Sequence, residues 1–221
     1  MPAKSSKRVI GSAATLIPKA LSLPSLKTAA ADCRACDLWK KGTQTVFGEG
    51  RRQAKLMFIG EQPGNEEDLT GKPFVGTAGR LFDEALAEAG IDRRQAYVTN
   101  VVKHFKWEPR GKRRIHKKPN SMEIAACHPW LEAEVALIKP EIIVALGATA
   151  AQTLLGSKFR VTKQRGEFLE STLATYVMAT VHPSSILRAP DDETRRLEYR
   201  RFVDDLKKLS QVISKATSKA I

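Results

Sequence analysis

The sequence predicts an α/β fold, a three-layer sandwich in which helices flank a mainly parallel central sheet. Short apolar runs alternate along the chain with stretches of helical periodicity, and strands separated by helices form parallel sheets. The length of 221 residues and the hydrophobic content of 42% suit one domain. We therefore predict a single domain over residues 21–215, with no second domain.

The helices are predicted from apolar spacing and from the residues that stop them. Phe82 and Leu86 share one face of residues 77–89, and Gly90 ends that stretch. The same criteria predict helices over residues 24–32, 121–137 and 148–155, and a terminal helix whose apolar face runs from Leu197 to Ile213.

The strands are predicted from short buried runs, of which residues 55–60 are the clearest. Further strands are predicted over residues 96–102, 141–146, 165–169 and 175–181. Ligands of parallel sheets bind beyond the carboxyl ends of the strands. Three loops leave the predicted sheet at that edge: residues 60–64, the stretch after Asn100, and residues 182–185.

Residues 1–20 mix Lys, Ser, Ala, Gly and Pro and are predicted to be a basic, flexible tail. An organelle transit peptide has a similar composition, and the sequence leaves both interpretations open. The sequence has no apolar run long enough to cross a bilayer, and its first residues lack the apolar stretch of a secretory leader. We expect an intracellular, cytoplasmic protein that acts as a monomer.

The net charge is +13, and much of it lies in one short segment. Residues 103–118 contain eight Lys or Arg and a single Glu. A block of one sign beside Pro109 and Gly111 is typical of a loop that meets phosphates. Nucleic acid is therefore the first partner to consider, with anionic membrane surfaces or solubility alone as alternatives.

The chain contains three cysteines, an odd number that does not favour a disulfide framework. Cys33 and Cys36 form a Cys-x-x-Cys pair, which is typical of metal binding or redox chemistry.

Several spaced motifs together are more specific than any one of them. They are Gly-Glu-Gln-Pro-Gly at 60–64, the run from Gly71 to Gly76, Thr99-Asn-Val-Val-Lys103, and His182-Pro-Ser-Ser185. Over about residues 32–209 the chain resembles the uracil-DNA glycosylase superfamily, in particular its iron–sulfur-containing bacterial branch. The resemblance implies that superfamily's α/β sandwich and an enzyme, a hydrolase of N-glycosyl bonds in DNA repair that works on uracil-containing DNA.

Within the superfamily the chain is most similar to the class called UdgX. The resemblance rests on Gln62, which follows the motif glutamate, and on the inserted basic loop 105–118 with Gly111-Lys-Arg-Arg-Ile-His116. Members of that class excise uracil and then become joined to the abasic sugar. The resemblance thus implies a covalent DNA–protein cross-link after one turnover.

The resemblance also implies roles in the uracil pocket. Phe74 would stack on the flipped uracil, and the amide of Asn100 would pair with its polar edge. His182 would donate to uracil O2 as negative charge develops there. Taken singly, these residues are equally explained as a core aromatic, a cap and a structural turn.

The nucleophile is assigned to His116. On sequence alone His116 is a solvated residue of a basic loop, and the resemblance makes it the group that attacks C1′. Glu61 would hold or deprotonate it, and Gln62 would fix the uracil and the loop. The alternatives are a turnover glycosylase in which water attacks, and a metal-stabilised DNA-binding module without catalysis.

DNA contacts are expected from the basic loop and from the third motif, whose apolar residues would wedge into the base stack. The predicted contact residues are Lys112, Arg113, Arg114, Ser184, Ser185, Ile186, Leu187 and Arg188. Single-stranded DNA is included among the expected substrates.

The iron–sulfur branch supplies four cysteines, and this chain has His104 where the third is expected. The set carried over is therefore Cys33, Cys36, His104 and Cys127. These residues are expected to hold a [4Fe–4S] cluster, with a structural zinc ion as the alternative that spacing does not exclude.

Overall fold

The computed structural model describes residues 11–218, except the side chains of residue 211 and of residues 213–218. The predicted α/β sandwich is confirmed. Within the described residues the strands are β1 (Glu49–Gly50), β2 (Leu56–Gly60), β3 (Ala96–Asn100), β4 (Trp107–Arg110), β5 (Arg113–His116), β6 (Ile142–Leu146), β7 (Phe168–Leu169) and β8 (Tyr176–Thr180). The helices are α1 (Leu23–Ala31), α2 (Asn65–Thr70), α3 (Thr77–Glu88), α4 (Ser121–Ile138), α5 (Ala148–Leu155), α6 (Val161–Gln164), α7 (Pro183–Leu187) and α8 (Asp192–Ser218).

The central sheet has the strand order β1-β3-β2-β6-β8-β7. Its four inner strands are parallel, and the short strands β1 and β7 pair antiparallel at the two edges. Gly60 lies opposite Asn100, and Leu146 lies opposite Thr180. The carboxyl ends of the four inner strands therefore meet at one edge of the sheet, as the sequence predicted.

Alternate residues of the strands enter separate cores on the two faces of the sheet. On β2, Ile59 belongs to the cluster that contains Trp130 of α4. Phe58 points to the opposite cluster, where its ring lies 4.9 Å from that of Phe82 in α3, and Phe202 of α8 packs nearby. This two-sided burial explains why β2 is a continuous apolar run without polar alternation.

Three segments differ from the prediction. In the predicted strand 165–169, residues 165–167 form the turn that follows α6, which leaves only the short strand β7. The inserted loop 105–118 contains the β4–β5 hairpin, with Gly111 at φ 60° in its turn. Of the predicted tail, residues 1–10 lie outside the described residues, whereas Ala13 is fully buried in a 3₁₀ turn over Ala13–Leu16.

In the described part of the chain, every helix is too short or too polar to span a membrane.

Candidate active site

A cleft of about 850 Å³ opens at the carboxyl ends of the inner strands. The structure brings together there the residues predicted from the sequence to be catalytic or to bind uracil. They are Glu61 and Gln62 after β2, Phe74 before α3, Asn100 at the end of β3, His116 at the end of β5, and His182 after β8.

Asn100 lies at the floor of the cleft with one unused hydrogen-bonding atom. Its side chain is 2% exposed, and its Oδ1 has no hydrogen-bond partner. A Cβ atom on the neighbouring Gly60 would collide with that oxygen and with the ring of Phe74. A buried acceptor of this kind costs free energy unless a donor reaches it. The floor is thus built to accept a hydrogen bond from a bound molecule.

Phe74 forms one wall of the cleft in a strained backbone conformation. Its φ is 56°, a value that residues with a side chain rarely adopt. Arg93 donates to the carbonyl oxygens of Pro73 and Phe74 at 3.0 and 3.3 Å, which holds the turn. The ring lies 5.8 Å from that of His182 at an angle of 31°. Strain maintained by its surroundings is common at binding sites.

His182 is a neutral hydrogen-bond donor whose tautomer is set by its neighbours. Burial, followed by the positive charge of Arg188, lowers the pKa of His182 to about 4. Its Nδ1 caps α7 by accepting from the backbone N–H of Ser184 at 3.1 Å, and the Ser184 hydroxyl lies 2.8 Å from the same nitrogen. A neutral ring that accepts at Nδ1 carries its proton on Nε2. Ser185 donates to the His182 carbonyl at 2.7 Å.

His116 reaches the cleft from the hairpin and is half-exposed. Its Nε2 lies 3.3 Å from Oε1 of Glu61. Partial burial lowers the pKa of His116 below its usual 6.5, Glu61 opposes that shift, and Arg188 adds to it. The imidazole is therefore mainly neutral at pH 7 and keeps a lone pair for nucleophilic attack.

The other carboxylate oxygen of Glu61 accepts a short hydrogen bond from the Thr149 hydroxyl. Thr149 is buried in the first turn of α5 and lines the cleft. Thr149 was not among the residues predicted from the sequence. Its position just after the strand 141–146, at the edge of the sheet where ligands bind, was the signal that pointed to it.

Gln62 ties the hairpin to the sheet. Its amide nitrogen donates to the carbonyl oxygens of Lys106 and Lys117 at 3.2 and 3.1 Å, and its Oε1 accepts from the backbone N–H of Lys106 at 3.2 Å. Lys106 and Lys117 flank the two strands of the hairpin, so Gln62 fixes the base from which His116 projects.

The prediction that Arg114 contacts phosphate needs correction. Its side chain is 19% exposed and donates to the buried carboxylate of Asp68 at 2.6 Å and to Asn65 at 2.7 Å. The guanidinium also lies over the rings of Phe105 and Trp107. Because these partners occupy its donors, Arg114 anchors the hairpin to α2 in this structure. Lys112 and Arg113, by contrast, are exposed in and beside the hairpin turn.

The residues of the third motif that were predicted to contact DNA differ in their exposure. Ile186 is 1% exposed and packs in the core with Phe82, so in this conformation it does not enter a base stack. Leu187 is half-buried, and Arg188 is exposed and lines the cleft with Ser184 and Ser185.

A buried ion pair behind the cleft was also missed. Lys103 donates to Glu134 at 2.6 Å, to the Thr99 hydroxyl at 2.7 Å and to the Asn100 carbonyl at 2.6 Å. Lys103 and Glu134 are both almost fully buried. The network fixes the backbone that carries the Asn100 amide. The lysine that ends the second motif was its signal in the sequence.

Cys33, Cys36 and Cys127 are free, buried thiols. The indole N–H of Trp130 donates to Cys33 Sγ and the backbone N–H of Lys103 donates to Cys127 Sγ, each at 3.3 Å. Burial raises the pKa of Cys127 to about 12 against the opposing charge of Lys103, and the nearby Cys36 and Cys33 contribute to the rise. Neighbouring thiols that receive N–H donors suit a cysteine-held cluster, so the three cysteines fit as donors.

His104 is placed differently from the cysteines. Its Nε2 lies 3.0 Å from the Thr45 hydroxyl, and burial lowers the pKa of His104 to about 4 against the opposing charge of Asp68. A neutral imidazole is the form that binds metals. Among residues 11–218, no three His, Cys, Asp or Glu side chains are grouped so as to hold a metal ion. The ligand set remains a prediction.

The sequence of the chain is similar to those of known proteins. The family model described as the uracil DNA glycosylase superfamily matches residues 47–207. The chain is 41% identical to a type-4 uracil-DNA glycosylase of Thermotoga maritima, over 83% of this chain and 90% of that protein. It is 36% identical to a type-4 uracil-DNA glycosylase of Archaeoglobus fulgidus, over 83% of this chain and 89% of the relative.

Proposed function

The chain belongs to the uracil DNA glycosylase superfamily, and we propose that it excises uracil from DNA and then bonds covalently to the abasic sugar through His116. The excision is the activity named for its relatives. The covalent step is the property of the UdgX class. Its support here is the neutral histidine that the β4–β5 hairpin holds against Glu61.

The unpaired Oδ1 of Asn100 is the observation that carries the proposal. Uracil presents a donor at N3–H beside an acceptor at O4, and the Asn100 amide offers the complementary pair. Phe74 would cover the ring of the extruded base. Uracil therefore supplies the donor that the cleft floor lacks.

His182 stabilises the departing base. When the bond between C1′ and N1 breaks, its electron pair passes to uracil and negative charge develops on O2. The neutral His182 ring has its Nε2 proton free to donate to that oxygen, because Nδ1 is engaged by α7. A preorganised donor of this kind contributes about a hundred- to a thousandfold in rate.

His116 then captures the cationic sugar. The lone pair of the unprotonated ring nitrogen forms a bond to C1′, and the proton on the other nitrogen passes to Glu61 and from there to solvent or to the uracil anion. The products are one uracil and one DNA–protein adduct. Each protein molecule would thus act once, as members of the UdgX class do.

DNA reaches the cleft across exposed cations. Lys112 and Arg113 in the hairpin and Arg188 after α7 would neutralise phosphates around the flipped nucleotide. Ser184 and Ser185 would line the same path. We propose that the protein acts as a monomer and accepts single-stranded DNA, in which no base pair opposes flipping.

We propose that the cysteines hold a structural [4Fe–4S] cluster. Cys33, Cys36 and Cys127 would supply thiolates and His104 the fourth ligand, at positions carried over from the iron–sulfur branch. The cluster would tie the segment after α1 to α4. Purified protein should absorb broadly near about 400 nm, whereas colourless protein with stoichiometric zinc would contradict the cluster.

A denaturing gel tests the function. The protein is mixed with a single-stranded oligonucleotide that contains one uracil, and with a matched thymine oligonucleotide, before SDS is added. We expect a band at the summed mass for the uracil strand only. The band should be absent in His116→Ala, which should still produce abasic DNA.

His128→Ala is the matched control, because His128 lies on α4 beside Glu132 and outside the cleft. This variant should cross-link like the wild type. Abasic DNA without a band in the wild type would contradict capture and indicate turnover with water. Intact uracil would contradict the glycosylase activity itself.

A further inference from the structure

We propose that Thr149 is a positioning residue that makes Glu61 favour capture by His116 over hydrolysis of the sugar by water. The inference rests on the proposed function and adds a residue to it.

The first step is that the two oxygens of the Glu61 carboxylate have different partners. Oε1 faces His116 Nε2 at 3.3 Å, and Oε2 accepts the hydrogen bond from the Thr149 hydroxyl. Each oxygen therefore already has a partner within the protein. A carboxylate held at both oxygens has a fixed plane, and its Oε1 stays aimed at the hairpin.

The second step is the rigidity of Thr149. The residue is buried in the first turn of α5. A β-branched side chain on a helix has few rotamers, so its hydroxyl is held in place. Glu61 follows β2 and is half-buried. A fixed donor from α5 thus orients a group that belongs to another element.

The third step concerns water. A carboxylate that lacks its Thr149 bond has an oxygen free to bind and deprotonate a water molecule, which is the role of such a group in a turnover enzyme. The Thr149 hydroxyl takes one lone pair of that oxygen and leaves Oε2 a weaker acceptor for water. The hydroxyl therefore both aims Glu61 at His116 and weakens the oxygen that would activate the competing nucleophile.

The test compares Thr149→Val, Thr149→Ser and Thr153→Val. Valine has the shape of threonine without the hydroxyl, and serine restores the donor. Thr153→Val makes the same change one turn later on α5, away from the cleft. Each variant is mixed in excess with uracil-containing DNA, and adduct and free abasic DNA are counted separately over time.

We expect Thr149→Val to lower the ratio of adduct to free abasic DNA by about ten- to a hundredfold, the effect of losing a hydrogen bond to a charged group. Thr149→Ser should recover most of the ratio, and Thr153→Val should match the wild type. Partial loss of fold would lower adduct and abasic DNA together, so the ratio reports on partitioning alone. An unchanged ratio in Thr149→Val would overturn the inference.

Two outcomes separate this inference from the function on which it rests. A wild-type adduct with equal ratios in Thr149→Val and Thr153→Val overturns the role of Thr149 and leaves capture standing. A wild type that yields only abasic DNA overturns capture and the inference together.

Discussion

Two histidines line the same cleft, and their surroundings give them different chemistry. His182 is half-buried on the rigid turn between β8 and α7, with Nδ1 committed to the cap and its pKa lowered to about 4. His116 is half-exposed at the end of a hairpin, where its Nε2 lies 3.3 Å from Oε1 of Glu61. We propose that the first is a fixed donor and the second a nucleophile with a free lone pair. Position in the fold, rather than residue type, assigns the two roles.

The largest effect should come from His182. His182→Ala removes the donor to uracil O2, and we expect the rate of uracil release to fall about a hundred- to a thousandfold. His116→Ala should leave that rate within a few-fold of the wild type. Single-turnover release of labelled uracil measures both. Equal losses in the two variants would show that the histidines do not divide the work.

The variant Gln62→Ala tests how far capture by His116 depends on the anchoring of the hairpin. Gln62→Ala removes three hydrogen bonds between the cleft and the flanks of the hairpin. We expect adduct formation to slow about tenfold or more, since a hydrogen bond contributes about 1 kcal/mol. Uracil release, measured in the same samples, should change less. Unchanged capture would mean that the hairpin is held by other contacts.

The neighbouring arginines Arg113 and Arg114 should separate DNA contact from anchoring. Arg113→Ala should weaken DNA binding a few-fold and reduce the slope of log affinity against log salt by about one. Arg114→Ala should change that slope less and should slow adduct formation, because it frees the hairpin from Asp68. Binding titrations at several salt concentrations distinguish the two. A full unit of slope lost in Arg114→Ala would contradict its anchoring role.

The smallest effect should be that of pH near neutrality. The pKa of His116 lies below 6.5, so the fraction of neutral imidazole rises through that lower pKa and is nearly constant above it. Adduct formation should therefore vary less than about twofold between pH 7 and 8 and fall in more acidic buffer. Rates of adduct formation from pH 4.5 to 8.5 test this. A rate that keeps rising above pH 7 would contradict a neutral nucleophile.

The sequence predicted the sheet and the edge at which the cleft lies because both depend on local patterns, whereas the roles of Phe74, Asn100 and His116 were implied by the resemblance to the family. Apolar runs define β2 and β6. The residues that follow parallel strands lie at one edge of the sheet in any fold of this kind. The roles of Arg114, Ile186 and Thr149 depend on tertiary partners. A basic residue in a charged block does not reveal that Asp68 binds it, and an isoleucine after a motif does not reveal that Phe82 covers it.

The central claim is a bond between His116 and the sugar, and mass spectrometry of the adduct tests it most directly. The intact adduct should weigh as much as the protein plus the uracil oligonucleotide, less one uracil. Digestion with protease and nuclease should leave the sugar remnant on the peptide that contains His116. A remnant on any other residue, or an adduct that retains uracil, would contradict the account.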